Sequence, residues 1–411
     1  MADAVRAEMR EWLDANWDLT ITVREWWGRL AEARWSVPSW PAPYGRGVSV
    51  ADARAVTEEL VRVGAIAPPM GHIGVRLGGP TLLQHANESI QQTYLPPLLR
   101  GEEAWCQLFS EPGAGSDLPS LSTSAVRDGD AWMLNGQKVW NSGADTSRRG
   151  LLLARTDPES PKRDGISCFV LDMGQPGVEA RPLRMMTGEA HFCEVFITDA
   201  HVAATDLVGE ENRGWTVART VLALERATAT EADARGLVVV PSGEESGQLD
   251  RVVGDVLDAR ATRKPAYTVS ALRSRDMIAL AHELGVTDDP ATRQDLARYY
   301  SLTEVHRWNQ RRAKAAARTG RPSPEGAITK LVLGRICNLS RDLSFSMLGA
   351  SAMLAGDDSP RRGALVTMGL SSPGVTIGAG TDEIQRNTVG ERVLGLPREP
   401  HADIDPRAKR N

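Results

Sequence analysis

Residues 107–117 read Gln107-Leu108-Phe109-Ser110-Glu111-Pro112-Gly113-Ala114-Gly115-Ser116-Asp117. A strand-like run, Ala104 to Phe109, ends here in a glycine-rich turn. Glycine lacks a Cβ, so successive N–H groups can approach an anion or a planar ring closely, and Ser110 and Ser116 add hydroxyl donors. On its own such a segment is also compatible with a plain turn. Its weight comes from what surrounds it.

Downstream, the apolar period stays that of strands. Ser122 to Arg127 leads to the turn signal Asp128-Gly129, then Ala131 to Leu134, a second turn signal at Asn135-Gly136, and Lys138 to Ser142. Leu151 to Arg155, Ile166 to Leu171, Val178 to Pro182 and Phe192 to Ile197 continue the series. These runs predict a compact β domain over 104–212, built of meanders rather than βαβ units. Upstream, Val5 to Trp17, Val23 to Ala33, Val50 to Val63 and Glu88 to Leu99 carry apolar residues at three- and four-residue spacing, which predicts a helical domain over 1–103.

Helical periodicity returns at Gly214 and predicts a bundle over 213–411. One helix runs from Asp288 to Ala317 and stops at Gly320 and Pro322; another starts at Ser323. In the latter, Ile328, Leu331, Val332, Ile336, Leu339, Leu343 and Met347 trace one apolar stripe, the core face of the bundle. The stretch 236–264 is rich in Gly, Asp and Glu and breaks the helical pattern. It reads as a surface loop, with a role in shaping a ligand pocket as the alternative. The fold class is therefore α+β multidomain: helices, a β domain, then a helical bundle.

The 411 residues carry 48 Lys and Arg against 53 Asp and Glu, a net charge of -5, which argues against a phosphate-neutralising surface and hence against nucleic-acid binding. The basic cluster Arg407 to Arg410 reads as a solvated end. No stretch approaches the roughly 18 to 20 apolar residues of a membrane span, and no apolar leader follows Met1. The expectation is a soluble, cytoplasmic protein. Cys106, Cys168, Cys193 and Cys337 are widely spaced and read as buried small hydrophobes, and the seven histidines show no metal-ligand spacing. There is no P-loop, nucleophile elbow or Rossmann fingerprint, which removes the commonest NTPase, hydrolase and dinucleotide-binding readings.

Two further segments accompany 107–117. Trp140-Asn141-Ser142 ends a later strand, and Gly378-Ala379-Gly380-Thr381-Asp382-Glu383-Ile384-Gln385-Arg386 opens the last helix. Together the three resemble the acyl-CoA dehydrogenase flavoprotein family. Its signatures are an Ala/Thr-Glu-Pro-x-Ala-Gly-Ser-Asp loop, an Asn-Gly-x-Lys-x-Trp-x-Ser/Thr hairpin and a Gly-Thr-x-x-Ile-Gln-Arg-Asn run. All three occur in family order, Glu391-Arg392-Val393-Leu394-Gly395 closes the match, and the resemblance covers about Met1 to Pro400.

That resemblance implies an N-terminal α-helical domain, a middle β-barrel domain and a C-terminal four-helix bundle, assembled as homodimers or homotetramers. It also implies FAD bound without a Rossmann motif. By position, Gln107, Phe109, Ser110, Gly115, Ser116, Trp140, Asn141, Ser142, Thr381 and Glu383 match cofactor-contacting residues. Ser116, Arg226, Ala379 and Gly380 match the acyl-CoA side, with the backbone N–H of 379 helping to polarise the thioester carbonyl.

The implied reaction takes a proton from the α carbon of an acyl thioester and a hydride from the β carbon, with electrons passed on to an electron-transfer flavoprotein. A thioester α proton is weakly acidic, so the reaction needs a carboxylate beside it; burial in an acyl pocket raises the pKa of such a base toward working pH. The base usually immediately precedes the Gly-Thr of the last motif, where this chain has Ala379. One branch of the family moves it to the helix after the β domain, and there Leu222-Ala223-Leu224-Glu225-Arg226 puts Glu225 at the matching position.

The chain departs from the family elsewhere as well. The Arg-x-x-Phe-Gly motif that contacts the FAD pyrophosphate is absent, leaving Arg273 and Arg275 as nearby basic candidates, and the usual Gly-Gly appears as Gly349-Ala350. Three functions compete: an FAD-dependent acyl-CoA dehydrogenase; a noncatalytic partner subunit in a hetero-oligomer with a related chain; and a flavin oxidase, nitroalkane oxidase or carrier-protein-linked desaturase of the same fold.

Overall fold

The computed structural model describes residues 2–69, 73–228, 237–262, 271–317, 325–354, 356–378 and 380–397. Its contacts divide the chain into two compact units, 1–265 and 266–411.

The first unit opens with α1 (Ala2–Asn16), α2 (Val23–Glu32) and α3 (Val50–Arg62). Side chains fix where α2 and α3 begin: Thr22 accepts from the Glu25 N–H and Ser49 from the Asp52 N–H, both at 3.1 Å. Their inner faces bury Met9, Leu13, Trp26, Trp27, Leu30, Val56 and Leu60. The two buried indoles remain satisfied, because Trp26 donates to the Ile66 carbonyl at 2.9 Å and Trp27 to Ala67 at 2.8 Å. A π-helical turn, Gly74–Gly78, runs into α4 (Gly79–His85). Sequence spacing misses this pair, since neither piece is long enough to show a period. The next helix, α5 (Glu88–Leu99), has the bounds the spacing predicts, with Asn87 capping Ile90 N–H at 2.9 Å.

Seven strands follow: β1 (Trp105–Leu108), β2 (Ser124–Asp128), β3 (Ala131–Ser142), β4 (Arg149–Arg155), β5 (Ile166–Asp172), β6 (Val178–Leu183) and β7 (Phe192–Ala203). They form one curled sheet in the order β1-β4-β2-β3-β7-β6, with β5 on β4. Hairpin partners are antiparallel, as expected, but β1 and β2 both pair with β4 in parallel, so the sheet is not wholly a meander. Asn135-Gly136 departs from the turn that its spelling predicts. This dipeptide does not turn; it lies inside the continuous β3, opposite an extra residue in β7 near Asp199. Asn135 exchanges side-chain hydrogen bonds with Asp199 at 2.9 and 3.0 Å, and a Cβ on Gly136 would meet Thr123 at 2.4 Å. The glycine marks a close backbone approach.

Helix α6 (Gly214–Thr228) and helix α7 (Val253–Thr262), which the spacing groups with the C-terminal bundle, belong to the first unit. The residues between and through α7 correct the surface-loop reading of 236–264. Leu237, Val240, Leu249, Val253 and Val256 are buried in the same core as Trp26 and Trp27. Each such side chain contributes roughly 1.5–3 kcal/mol by leaving water. Backbone bonds join Ala67 N–H to Val238, Gly243 N–H to Gly101 and Val23 N–H to Arg251 at 2.8 to 3.0 Å, while Arg24 grips Glu244 at 2.6 Å and Asp250 at 2.9 Å. A polar composition here conceals widely spaced apolar anchors.

The second unit contains α8 (Ser274–Glu283), α9 (Pro290–Ala317), α10 (Glu325–Leu348), α11 (Ala364–Ile377) and α12 (Asp382–Arg392). All the others pack on α10, whose stripe residues Ile336, Leu343 and Met347 are buried with Met277, Leu280, Tyr299, Leu365 and Met368. The turn at Gly320 to Ser323 and the tail Arg407 to Arg410 lie outside the described residues. Among the described residues no helix is long and apolar enough to cross a membrane, and no cluster of His, Cys, Asp and Glu is placed to hold a metal ion.

Candidate active site

The glycine-rich loop is rooted in a buried ion pair. Backbone bonds between Glu111 and Ala114, at 3.1 and 3.0 Å, close a tight turn around Pro112 and Gly113. The Glu111 side chain points inward. Its Oε2 accepts from Ser122 N–H at 2.7 Å and Ser122 Oγ at 2.8 Å; its Oε1 accepts from Thr123 N–H at 2.9 Å, Thr123 Oγ1 at 2.6 Å and Lys138 Nζ at 2.8 Å. Burial alone would raise the Glu111 carboxyl, but Lys138 and the Ser122 and Thr123 donors outweigh it and hold it down at about 2. Burial pulls the Lys138 ammonium down to about 8, opposed by Glu111. At 2.8 Å each group favours the charged form of the other.

Lys138 and Asn141 both turn toward β1. Asn141 Nδ2 donates to the Gln107 carbonyl at 2.6 Å, and Lys138 Nζ donates to the Phe109 carbonyl at 3.1 Å. Residues three apart in a regular strand face opposite sides. Here Lys138 pairs with Val195 and Asn141 with Cys193, so three steps of β3 match two of β7 and one residue is extra. That bulge restores the parity. Its cost falls on Trp140, whose φ of 64° is unusual for a large side chain. Trp140 is 60% exposed and packs edge-on against Phe192 at 5.7 Å.

This arrangement fits a flat ligand with polar edges, such as a flavin. Gly113 and Gly115 would carry a Cβ into open space, Trp140 presents its indole outward, and Asn141 Oδ1 is buried with no hydrogen-bond partner among the described residues. Gln107, Phe109, Ser110, Trp140, Asn141 and Ser142 are gathered by β1 and the end of β3. Gly115 and Ser116 are exposed on the loop beyond Ala114.

Helix α6 carries Glu225. Gly214 lets the helix start against β5, since a Cβ there would lie 2.5 Å from the Ser167 carbonyl carbon. Buried Ser167 locks the approach: its Oγ accepts from Asn212 N–H at 2.8 Å and bonds Thr156 Oγ1 at 2.8 Å, which in turn donates to Asn212 Oδ1 at 2.6 Å. Val217, Ala218 and Val221 then enter the core that also holds Phe109 and Ala114. The solvated face carries Thr216, Arg219 and Ala223. Glu225 lies four residues after Val221 and seven after Ala218, on the core-facing stripe, and is half-buried. Arg226 follows on the same helix; its side chain lies outside the described residues.

The last motif sits in the second unit. Thr381 caps α12 by accepting from Ile384 N–H at 3.3 Å, and exposed Glu383 pairs with Arg386 at 3.2 Å. Gly380 is required by geometry: its φ is 86°, and a Cβ would sit 2.8 Å from Gln385 Nε2. Ala379 lies outside the described residues. Arg273 and Arg275 both lean on Asp276, at 2.6 and 3.6 Å.

Sequence reasoning missed Glu111 and Lys138 as working residues, although both stand inside quoted motifs. The available signal was a single Lys inside the β3 run and a single Glu opening the glycine-rich loop, opposite charges close to strands that are otherwise mostly uncharged. It could not be read without knowing that the bulge turns Lys138 inward.

The chain matches, in order, family models described as acyl-CoA dehydrogenase N-terminal domain over residues 1–102, middle domain over 106–200 and C-terminal domain over 276–394. It is 35% identical, over 90% of its length, to acyl-CoA dehydrogenase FadE34 of Mycobacterium tuberculosis, and spans 46% of that protein. Acyl-CoA dehydrogenase IpdE1 of the same organism is 34% identical over 92% of this chain and 88% of its own. A solved structure named Tcur3481-Tcur3483 steroid ACAD aligns with a TM-score of 0.70 at 26% identity, covering 97% of this chain and 98% of that one.

Proposed function

Because the chain belongs to the acyl-CoA dehydrogenase family, we propose that it converts an acyl-CoA thioester to the trans-2-enoyl-CoA with Glu225 as the base. Glu225 takes the α proton. Bound FAD supplies the acceptor for the hydride that leaves the β carbon. Gln107, Phe109, Ser110, Gly115, Ser116, Trp140, Asn141 and Ser142 of the β domain would hold it, and Thr381 and Glu383 are assigned to it by family position. By family position Ser116, Arg226, Ala379 and Gly380 are assigned to the acyl-CoA, with the 379 N–H as the donor that would steady charge developing on the thioester oxygen. Electrons pass to an electron-transfer flavoprotein. The protein works as a homodimer or homotetramer, and its free, buried cysteines suit the reducing cytoplasm.

The observation that carries this reading is the place of Glu225 on the core-facing stripe of α6 rather than on its solvated face. Ala379 cannot take a proton, which leaves the relocated carboxylate to do so. Anaerobic addition of acyl-CoA esters should bleach the oxidised flavin band. Ring-bearing esters come first in the panel, on the strength of the steroid relative. Glu225→Gln should slow that bleaching by about 10²- to 10⁴-fold while flavin content stays level. Near-normal bleaching in the variant would remove Glu225 from the role.

Ala379 also supports a second reading, a noncatalytic partner subunit in a mixed oligomer. A chain that is colourless when expressed alone and gains flavin only with a related subunit would favour it. An oxidase would instead show rapid reoxidation of the reduced flavin by oxygen.

A further inference from the structure

The end of β1 lacks a backbone ladder to β3 at Gln107 and Phe109, and two side chains take its place. Lys138 and Asn141 donate to the carbonyls of Phe109 and Gln107, two residues apart on the same strand edge. The bulge at Val139 and Trp140 makes this possible, and Val139 N–H adds a bond to the Ser110 carbonyl at 2.9 Å. Lys138 is the only one of these residues that grips both sides of the turn, binding Phe109 before Ser110 and Glu111 after it. In a planar trans peptide the N–H lies opposite the C=O. Holding the Phe109 carbonyl against a buried ammonium therefore sets the direction of the Ser110 N–H.

We infer that Lys138 is a positioning residue. Through the Phe109 carbonyl and the Glu111 carboxylate it holds residues 109–117 in the conformation that receives the flavin. This rests on the flavin-binding reading above. Lys138 touches neither substrate nor cofactor in this role; it acts through the Phe109–Ser110 peptide and the root of the turn. Fully buried and charge-assisted, its bonds are of the strong kind.

The test uses the full-length chain and two readouts: amide hydrogen exchange across 109–117, and the dissociation constant for added FAD. Lys138→Met should speed exchange in that segment about 10-fold and weaken FAD by about 10-fold, the scale of a lost charge-assisted hydrogen bond. Thr123→Val is the control. It removes one hydrogen bond to Glu111 but leaves the Phe109 carbonyl capped, so both readouts should change clearly less than in Lys138→Met. If Lys138→Met does not fold, Lys138→Met with Glu111→Gln replaces it, since that pair leaves no lone buried charge.

Unchanged exchange in the lysine variant would overturn the inference. So would faster exchange with unchanged FAD affinity, because the loop would then be held for no purpose the flavin feels. Equal losses in Thr123→Val would reduce Lys138 to a general structural residue and overturn it as well. Wild-type protein that takes up no FAD would sink the flavin reading itself; the exchange result would still decide whether Lys138 holds the loop.

Discussion

Lysines stand at the roots of both motif loops, in different states. At the 110–117 loop, Lys138 is fully buried and shares Glu111 with the Ser122 and Thr123 donors, so every charge has close partners. At the start of α12, Lys330 Nζ stands 3.6 Å from Asp382 Oδ1, and neither atom has a hydrogen-bond partner among the described residues. The two pairs differ in bonding geometry rather than in charge. Donors within hydrogen-bond distance offset the desolvation of a buried carboxylate, which a pair held at 3.6 Å does less well.

The sharpest way to break this comparison is to remove each lysine. Lys138→Met should cost about 4 kcal/mol in denaturant unfolding, since it strands a buried carboxylate. A cost below about 1 kcal/mol would show that Ser122 and Thr123 suffice on their own. Next comes acid. The Glu111 carboxyl is held at about 2 against an ordinary 4.5. A lowered native pKa means stability present above about pH 4.5 and lost as pH falls toward 2, worth about 3 kcal/mol. Glu111→Gln should flatten the stability profile over that window relative to wild type, and an unchanged slope would deny the clamp its charge.

Lys330→Met should shift stability by less than about 1 kcal/mol, because the ammonium it removes makes no hydrogen bond among the described residues. If it cost as much as Lys138→Met, the two roots would be equivalent and the comparison would fail. The smallest effect concerns the bulge. Trp140→Gly relieves a φ of 64° at an exposed site, so unfolding stability should change by less than about 1 kcal/mol, with a gain favoured. FAD affinity should fall nonetheless, separating strain kept for a ligand from strain of no use.

Much of the architecture was legible beforehand. Spacing places α5 at Glu88–Leu99 and the core stripe of α10 correctly, because a helix of several turns repeats its pattern often enough to be read. Motif spelling marks Gln107 to Ser116, Trp140 to Ser142 and Gly380 to Glu383, because glycines and caps serve local backbone needs that the local sequence must meet. The short α4 escapes such reading, as does the inlay 237–262, whose anchors are too far apart to form a period.

What the sequence by itself determined is therefore local: the helices, the strands, the turn glycines and the family that these motifs spell. Only the tertiary structure decided that Asn135-Gly136 runs straight through a strand, that 237–262 completes the N-terminal core, and that a bulge turns Lys138 and Asn141 to the same side. Each of these depends on which distant backbone lies opposite: Asp199, Ile66 and Val195 set the outcome from far along the chain. Short-range preferences carry no record of such partners, because the free energy that selects them appears only when the surfaces meet.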